Sequence, residues 1–296
     1  MKKNLLFILA LALPLLAFAG KKVTFKMPDV ALPVIPNNVV TLTDFGVKGD
    51  GKTLCTDAFT KAMKKLSSMG GGKLEVPAGI WFTGPIQFES NIELHTAVGA
   101  LIVFTDDYDA YPMIETMFEG NTAKRRMSPL YAYNKENIAI TGHGTFDGNG
   151  QAWRPVKKLK LTDAQWSALT KSGGSVEKNI WYPEIKERAF NRPVLLDFMY
   201  CKKILLKNVT FSNSPAWNVH PCICEDVTIE GVNIKNPWFA QNGDGLDLES
   251  CKRAKIINTT FDVGDDAICI KSGKDAEGRR IGKPCEDVFI SGCTVL

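Results

Sequence analysis

Four segments in the second half of the chain share one pattern of apolar and polar positions. Aligned on Cys201, Cys224, Cys251 and Cys285, they read CKKILLKNVTF, CEDVTIEGVNI, CKRAKIINTTF and CEDVFISGCTV. Each has an apolar or small residue at +3, Leu or Ile at +5, Asn or Gly at +7 and an apolar residue at +10. The intervals between the cysteines are 23, 27 and 34 residues. Weaker echoes occur at SNIELHTAVGA (90–100) and ENIAITGHGTF (136–146). Alternation within each segment predicts short strands, and recurrence at about 20–30 residues predicts stacked coils. A single coil cannot bury its apolar face, but a stack can. Neighbouring rungs then lie about 4.8 Å apart.

The first half reads differently. Val40 to Phe45 is predicted as a strand and Lys48-Gly49-Asp50-Gly51 as a turn. Ala58, Phe59, Ala62, Met63 and Leu66 recur at helical spacing, so Thr56 to Ser68 is predicted helical, ending at Gly70-Gly71-Gly72. An amphipathic helix here would cover the open end of a solenoid. Lys73 to Thr83 predicts strands around a Pro77-Ala78-Gly79 turn. Residues 151–190 interrupt the repeat as a surface insertion beside a groove wall. Within it, Thr162-Asp163-Ala164-Gln165 is a capping box opening a short helix to Lys171.

Composition changes this picture in three places. Lys2 and Lys3, the apolar run Leu5 to Phe18 and Ala17-Phe18-Ala19 form a secretory signal pattern. The expected organisation is a signal peptide at 1–19, a linker at 20–39 and one coil domain at 40–296. That predicts export to a periplasmic or extracellular compartment, with no membrane span. Without Lys2 and Lys3 the net charge is +2 rather than +4, which does not suggest nucleic acid as a partner. The basic run Lys157-Lys158-Leu159-Lys160 is short enough to be solvated surface. Of eight cysteines, the four repeat thiols are expected as an inward ladder. One bridge among Cys55, Cys222, Cys269 and Cys293 stays open, and no spacing indicates zinc.

The candidate chemistry is carboxylate chemistry. Asp244 lies in Gln-Asn-Gly-Asp-Gly-Leu-Asp (241–247), and Asp265 and Asp266 lie in Val-Gly-Asp-Asp-Ala (263–267). The 21-residue gap from Asp244 to Asp265 is about one coil, which would put them on adjacent rungs. Paired carboxyls are what glycosidic hydrolysis requires, at about 6.5–9.5 Å for an inverting reaction. Clustered carboxylates repel, which raises at least one pKa. Adjacent aspartates on a regular strand point to opposite faces, so a bend is expected at Gly264. Taken singly, each aspartate is more often turn punctuation than a catalyst.

Together, TDFGVKGDGKT (43–53), VPAGIWFTGPI (76–86), GHGTFDGNG (142–150), NPWFAQNGDGLDLESC (236–251) and VGDDAICIKSG (263–273) resemble glycoside hydrolase family 28, the polygalacturonases. The resemblance covers residues 40 to 296, with Gly243 where the family's motif has Thr. It implies a right-handed parallel β-helix, all-β apart from the capping helix. It also implies an inverting hydrolase of α-1,4-galacturonan, working as a monomer without metal or cofactor. By position Asp265 corresponds to the general acid, Asp244 and Asp266 to the water-activating pair, and Asp247 to a substrate-facing aspartate. Asn242, Lys271, Arg192, Trp217 and His220 are further substrate-contact candidates. For Trp217 and His220, packing and hydrogen bonding are equally open readings, and Arg279 and Arg280 could pair with galacturonate carboxylates or lie on the surface. Gly142-His143-Gly144 precedes the aspartates and reads as a coil turn. The family's later Gly-His-Gly and Arg-x-Lys segments are not within these residues, so the resemblance implies a shortened chain. The competing readings are an impaired pectin-binding solenoid and a calcium-dependent lyase.

Overall fold

The computed structural model describes residues 27–183 and 186–296. The proposed signal peptide lies outside them. Among the described residues, three parallel sheets run the length of the molecule, two of eight strands and one of six, as a right-handed parallel β-helix. In the second half each coil contributes one strand to each sheet. One coil supplies Leu196–Met199, Lys202–Lys207 and Thr210–Ser212. The next supplies Val219–Cys222, Glu225–Glu230 and Asn233–Lys235. Leu246–Glu249, Lys252–Ile257 and Thr260–Asp262 follow. Ile268–Lys271, Glu286–Ser291 and Thr294–Val295 form the last.

The repeat pattern is the core read along the coil axis. Position +3 stacks as Ile204, Val227, Ala254 and Val288, and position +5 as Leu206, Ile229, Ile256 and Ile290. Position +10 stacks as Phe211, Ile234, Phe261 and Val295. Burying each large side chain of the first three coils contributes about 1.5–3 kcal/mol, whereas Ile290 and Val295 on the last coil are 40% and 63% exposed. Position +7 turns the chain between two sheets. Asn208, Gly231, Asn258 and Gly292 have φ of 62°, 65°, 52° and 64°, the left-handed region that Gly and Asn tolerate best.

The cysteine ladder forms at the other corner. Cys201, Cys224 and Cys251 are buried and Cys285 is half-buried. The Cys201 amide donates to Cys224 Sγ at 3.4 Å, and the Cys251 amide to Cys285 Sγ at 3.4 Å. All eight cysteines are free thiols, so the bridge left open among Cys55, Cys222, Cys269 and Cys293 does not form.

The helix Thr56–Ser68 buries Ala58, Phe59, Ala62, Met63 and Leu66 against the first rungs. The strand expected over 40–45 is Val39–Thr41 only. Asp44 then accepts the Thr41 amide at 2.9 Å and tightens Leu42–Phe45 into a 3-10 turn. Asp50–Leu54 is a strand that starts inside the expected turn. The insertion carries the helix Asp163–Lys171, capped by Thr162 and Gln165, and an antiparallel sheet of Val156–Lys157, Ile180–Tyr182 and Ser175–Glu177.

One element has no counterpart in the sequence reading. Met113–Phe118 and Asn121–Arg126 form an antiparallel hairpin across the outer face of the six-stranded sheet. Glu119 and Gly120 turn it with φ of 51° and 75°, the paired left-handed conformation of a two-residue hairpin loop. Thr116 Oγ1 donates to Asp197 Oδ2 at 2.6 Å, and Met117 packs on Met199 and Cys222.

Ile229→Ala, in a filled column between Leu206 and Ile256, is expected to lower stability by about 2–5 kcal/mol in denaturant unfolding. Lys202→Ala, exposed on the same sheet, is expected to stay within about 0.5 kcal/mol of wild type.

Candidate active site

The three aspartates sit at the entry to adjacent strands of the six-stranded sheet. Leu246 pairs with Ile268 and Asp247 with Cys269, an offset of 22 residues. Asp244 therefore lies opposite Asp266, and not opposite Asp265 as the 21-residue gap suggested. The Gly245 amide donates to Asp266 O at 2.9 Å, fixing that alignment. Residues 264 and 265 form a bend that turns Asp265 toward the same side. Gly264 serves this bend through space rather than through φ. A Cβ there would lie 2.1 Å from the Trp238 carbonyl oxygen.

One carboxylate oxygen from each of Asp244, Asp265 and Asp266 lies within 4.8 Å of the others. The bend brings two neighbours in sequence onto one face, so their nearest oxygens meet that of Asp244. A water bonded to two such oxygens spans roughly 4.5 Å, so the cluster has the spacing to grip one water. The same oxygens are a ligand set that a hard divalent cation would accept. The Cys269 thiol, pushed up by burial and the Asp247 charge, donates to Asp266 Oδ2 at 3.3 Å.

The three carboxylates differ in environment. Asp265 and Asp266 are exposed, whereas Asp244 is 5% exposed. Burial, with the Asp247 and Asp265 charges, pushes Asp244 up to about 7, against the pull of Lys271. Asp247 is fully buried and pairs with the Lys271 ammonium. Burial raises its pKa and Lys271 opposes that rise. Burial works against the Lys271 charge too, but Asp247 outweighs it and raises the ammonium.

Lys271 ends a continuous stack. Its Nζ lies 3.7 Å from the centroid of the Trp217 ring, Trp217 stacks on Phe118 at 4.5 Å, and the Arg125 guanidinium sits 3.6 Å over the far face of Phe118. Two cations thus clamp two aromatic rings, one from the hairpin and one from the coil.

His220 lies under this wall. It is fully buried, with Nδ1 3.3 Å from Asp197 and Nε2 3.1 Å from Glu249, and its ring meets Trp217 edge-on at 5.2 Å. Burial alone would push the imidazole down; bonds to Asp197, Cys222 and Glu249 outweigh it and hold the pKa well above the usual value. Both nitrogens face carboxylates, so His220 is a cationic strut rather than a metal ligand, although Cys222 and Glu249 lie close by.

These positions decide between the readings left open. His220 and Trp217, at 0% and 2% exposure, are packed into the wall. Trp238, 57% exposed, presents an open aromatic face, and its carbonyl abuts Gly264. Arg192 is buried and donates to Asn242 Oδ1 at 2.7 Å, which ties those two candidates together. Arg280 pairs with Glu277 at 2.7 Å on the surface, and His143 is exposed in a coil turn. Lys160 was read as solvated surface, yet its ammonium lies 3.5 Å from the carbonyls of Ala240 and Gly264, beside the Asp265 bend. Arg125 and Phe118 carry no periodic signal in the sequence, since their hairpin has little alternation. The Glu119-Gly120 dipeptide was its one turn signal.

The family model described as Glycosyl hydrolases family 28 matches residues 73–283. A Vitis vinifera protein named "Probable polygalacturonase" is 32% identical over 265 residues, covering 86% of this chain and 49% of that protein. A Dickeya chrysanthemi exo-poly-alpha-D-galacturonosidase is 26% identical, covering 82% and 43%. The crystal structure of a hyperthermoactive exopolygalacturonase from Thermotoga maritima superposes with a TM-score of 0.76 at 38% identity, covering 90% of this chain and 62% of that one. The chain spans about half the length of the curated relatives it matches.

Asp244 titrates near 3.8 when unfolded and about 7 when folded, so the folded state binds more protons between those values. Its contribution to stability is present below pH 3.8 and lost as pH rises through about 7. Unfolding at a series of pH values is expected to show stability falling across that window, with a shallower fall in Asp244→Asn.

Proposed function

The chain belongs to glycosyl hydrolases family 28, and on that premise we propose that it hydrolyses α-1,4-galacturonosyl bonds of pectin or polygalacturonate. The observation that carries this reading is the cluster of Asp244, Asp265 and Asp266 at water-gripping distance. The named relatives and the wall of buried cations support an acidic polysaccharide as substrate. Among the described residues no helix is long and apolar enough to cross a membrane. Export by the N-terminal signal pattern fits a polymer too large to enter a cell.

In the proposed mechanism Asp265, exposed at the outer side of the cluster, donates its proton to the glycosidic oxygen as the bond to the anomeric carbon breaks. Asp244 and Asp266, opposite one another across two rungs, hold the water. As its oxygen bonds to the anomeric carbon on the face opposite the departing oxygen, its proton passes to a carboxylate and configuration inverts; inversion is proposed from the family membership and not from the carboxyl spacing. A base whose proton leaves near pH 7 is matched to work near that pH. The Asp247–Lys271 pair beneath is the buried anchor. Burial, and after it the negative charge of Asp247, keeps the Asp244 pKa high.

Incubation with polygalacturonate tests the reading. New reducing ends are expected without calcium and without the ultraviolet absorbance of an unsaturated product; a calcium-dependent absorbing product would instead indicate a lyase. NMR of the first product should show the anomer opposite to the substrate linkage. Asp265→Asn is expected to lower kcat by about 10²–10⁴-fold. Activity should fall as pH drops below about 7, where Asp244 takes up its proton. Asp247→Asn should move that acid limb to lower pH, because it removes a negative charge beside Asp244.

A further inference from the structure

Alternation along its strands gives the hairpin two faces. Phe118 and Arg125 lie on one, beside the Trp217–Lys271 stack. Glu115, Met117 and Thr122 lie on the other. The hairpin is thus a ridge on the six-stranded sheet. Its tip reaches the last coil, where the Lys274 amide donates to Gly120 O at 3.3 Å and Thr122 Oγ1 donates to Glu277 Oε1 at 2.8 Å. Behind the ridge is a cavity of about 290 Å³, lined by the second face and by Tyr131, Tyr133 and Tyr200. These tyrosines belong to the exit ends of two neighbouring rungs, Leu130–Tyr133 and Leu196–Met199. The carboxylate cluster is at the entry end of the sheet, so the cavity is separate from it.

Tyr133 and Tyr200 meet edge to face at 5.5 Å and are 49% and 39% exposed. Tyr200 sits at a corner with φ of 55°, in register with Asn134, Ile223 and Ser250 of other coils. A bulky side chain is costly in that conformation. Ile223 offsets the cost by burial against Met117 and Met199, but Tyr200 stays open. Strain held at an open side chain points to a role outside packing. Tyr131 is 7% exposed, lines the cavity, and has no hydrogen-bond partner for its hydroxyl among the described residues. Burial, then the Asp197 charge, pushes that hydroxyl up to about 12, so it remains a donor.

We propose that this cavity is a second carbohydrate site, outside the cleavage groove, that takes a neutral pyranose residue of a polysaccharide. One face of a pyranose is a patch of C–H bonds that packs on an aromatic ring, and its rim of hydroxyls needs polar partners. The open tyrosine faces supply the first, and Tyr131 and Thr122 supply the second. A uronate is disfavoured, because among the described residues the lining holds no Lys, Arg or His and does hold the Glu115 carboxylate. The cleavage groove differs in having the Lys271 ammonium in its wall. A branched acidic polymer would then lie with its backbone before the ridge and a neutral branch behind it. Only that last consequence rests on the pectin reading above.

Calorimetry and NMR on the Asp265→Asn chain test the site, with xylotetraose, mannotetraose and galactotetraose as neutral probes and trigalacturonate as the acidic one. At least one neutral probe is expected to bind, to shift the ring signals of Tyr133 and Tyr200, and to stay bound when trigalacturonate saturates the groove. Tyr133→Ala and Tyr200→Ala should each weaken that binding about tenfold. Tyr131→Phe keeps the ring and removes only the hydroxyl, so it should weaken binding severalfold without lowering the melting temperature. In the wild-type background none of the three substitutions should change kcat or KM on unbranched polygalacturonate. No binding by any neutral probe, binding untouched by all three substitutions, or displacement by trigalacturonate overturns the proposal. A chain that cleaves polygalacturonate but gives one of those results loses this site alone. A chain that binds a neutral probe as expected but cleaves nothing keeps the site and loses the hydrolase reading.

Discussion

In-register stacking of coils is the constraint on which everything else depends. A coil by itself has an open apolar edge above and below, and unpaired backbone groups along each strand. Both are satisfied only by a neighbour whose strands fall opposite its own. Columns such as Leu206, Ile229, Ile256 and Ile290 are the result. The left-handed Asn and Gly corners and the buried thiols repeat because each coil must turn at the same place to keep that register. Loops between corners are free of this requirement, and they vary in length.

The same register carries the chemistry. On the six-stranded sheet, residues facing inward are Leu, Ile, Val and Phe, while those facing out include Asp197, His220, Asp247 and Cys269 at one level. Glu249 and Lys271 share the level beside it. A parallel stack places equivalent positions of successive coils side by side, so the outer face becomes a column of alternating charge. Hydrophobic order inside therefore fixes electrostatic order outside. His220 between Asp197 and Glu249, and Lys271 on Asp247, balance the column. Asp244 lies at its edge without such an ion pair, and its pKa is raised to about 7 by burial and by the Asp247 and Asp265 charges.

That outer face would be solvated if the coil stood alone. The hairpin at 113–126 and the insertion at 151–190 cover it. Their cover makes the environment dry enough for Asp244 to hold a proton near neutral pH and for the cation–aromatic stack to be buried. The two elements break the repeat for a reason that the repeat does not contain, since they shape the groove and not the coil.

Much of the coil was legible in the sequence, because its rules are local and periodic. The helix over Thr56–Ser68, the capping box at Thr162, the inward thiols and the two aspartate motifs follow from spacing and residue type. Register was not, because a gap of residues counts loop as well as strand. Asp244 faces Asp266 at an offset of 22, one more than the gap to Asp265. Nor did spacing show that Trp217 and His220 are covered, since what buries them is a hairpin more than 90 residues away in sequence. By itself the sequence determined the coil, its core and which carboxylates are present, through the periodic burial of small and apolar side chains. Only the tertiary structure decided which carboxylate is buried and which aromatics are packed away, because burial at those positions is set by segments packed across the sheet from elsewhere in the chain.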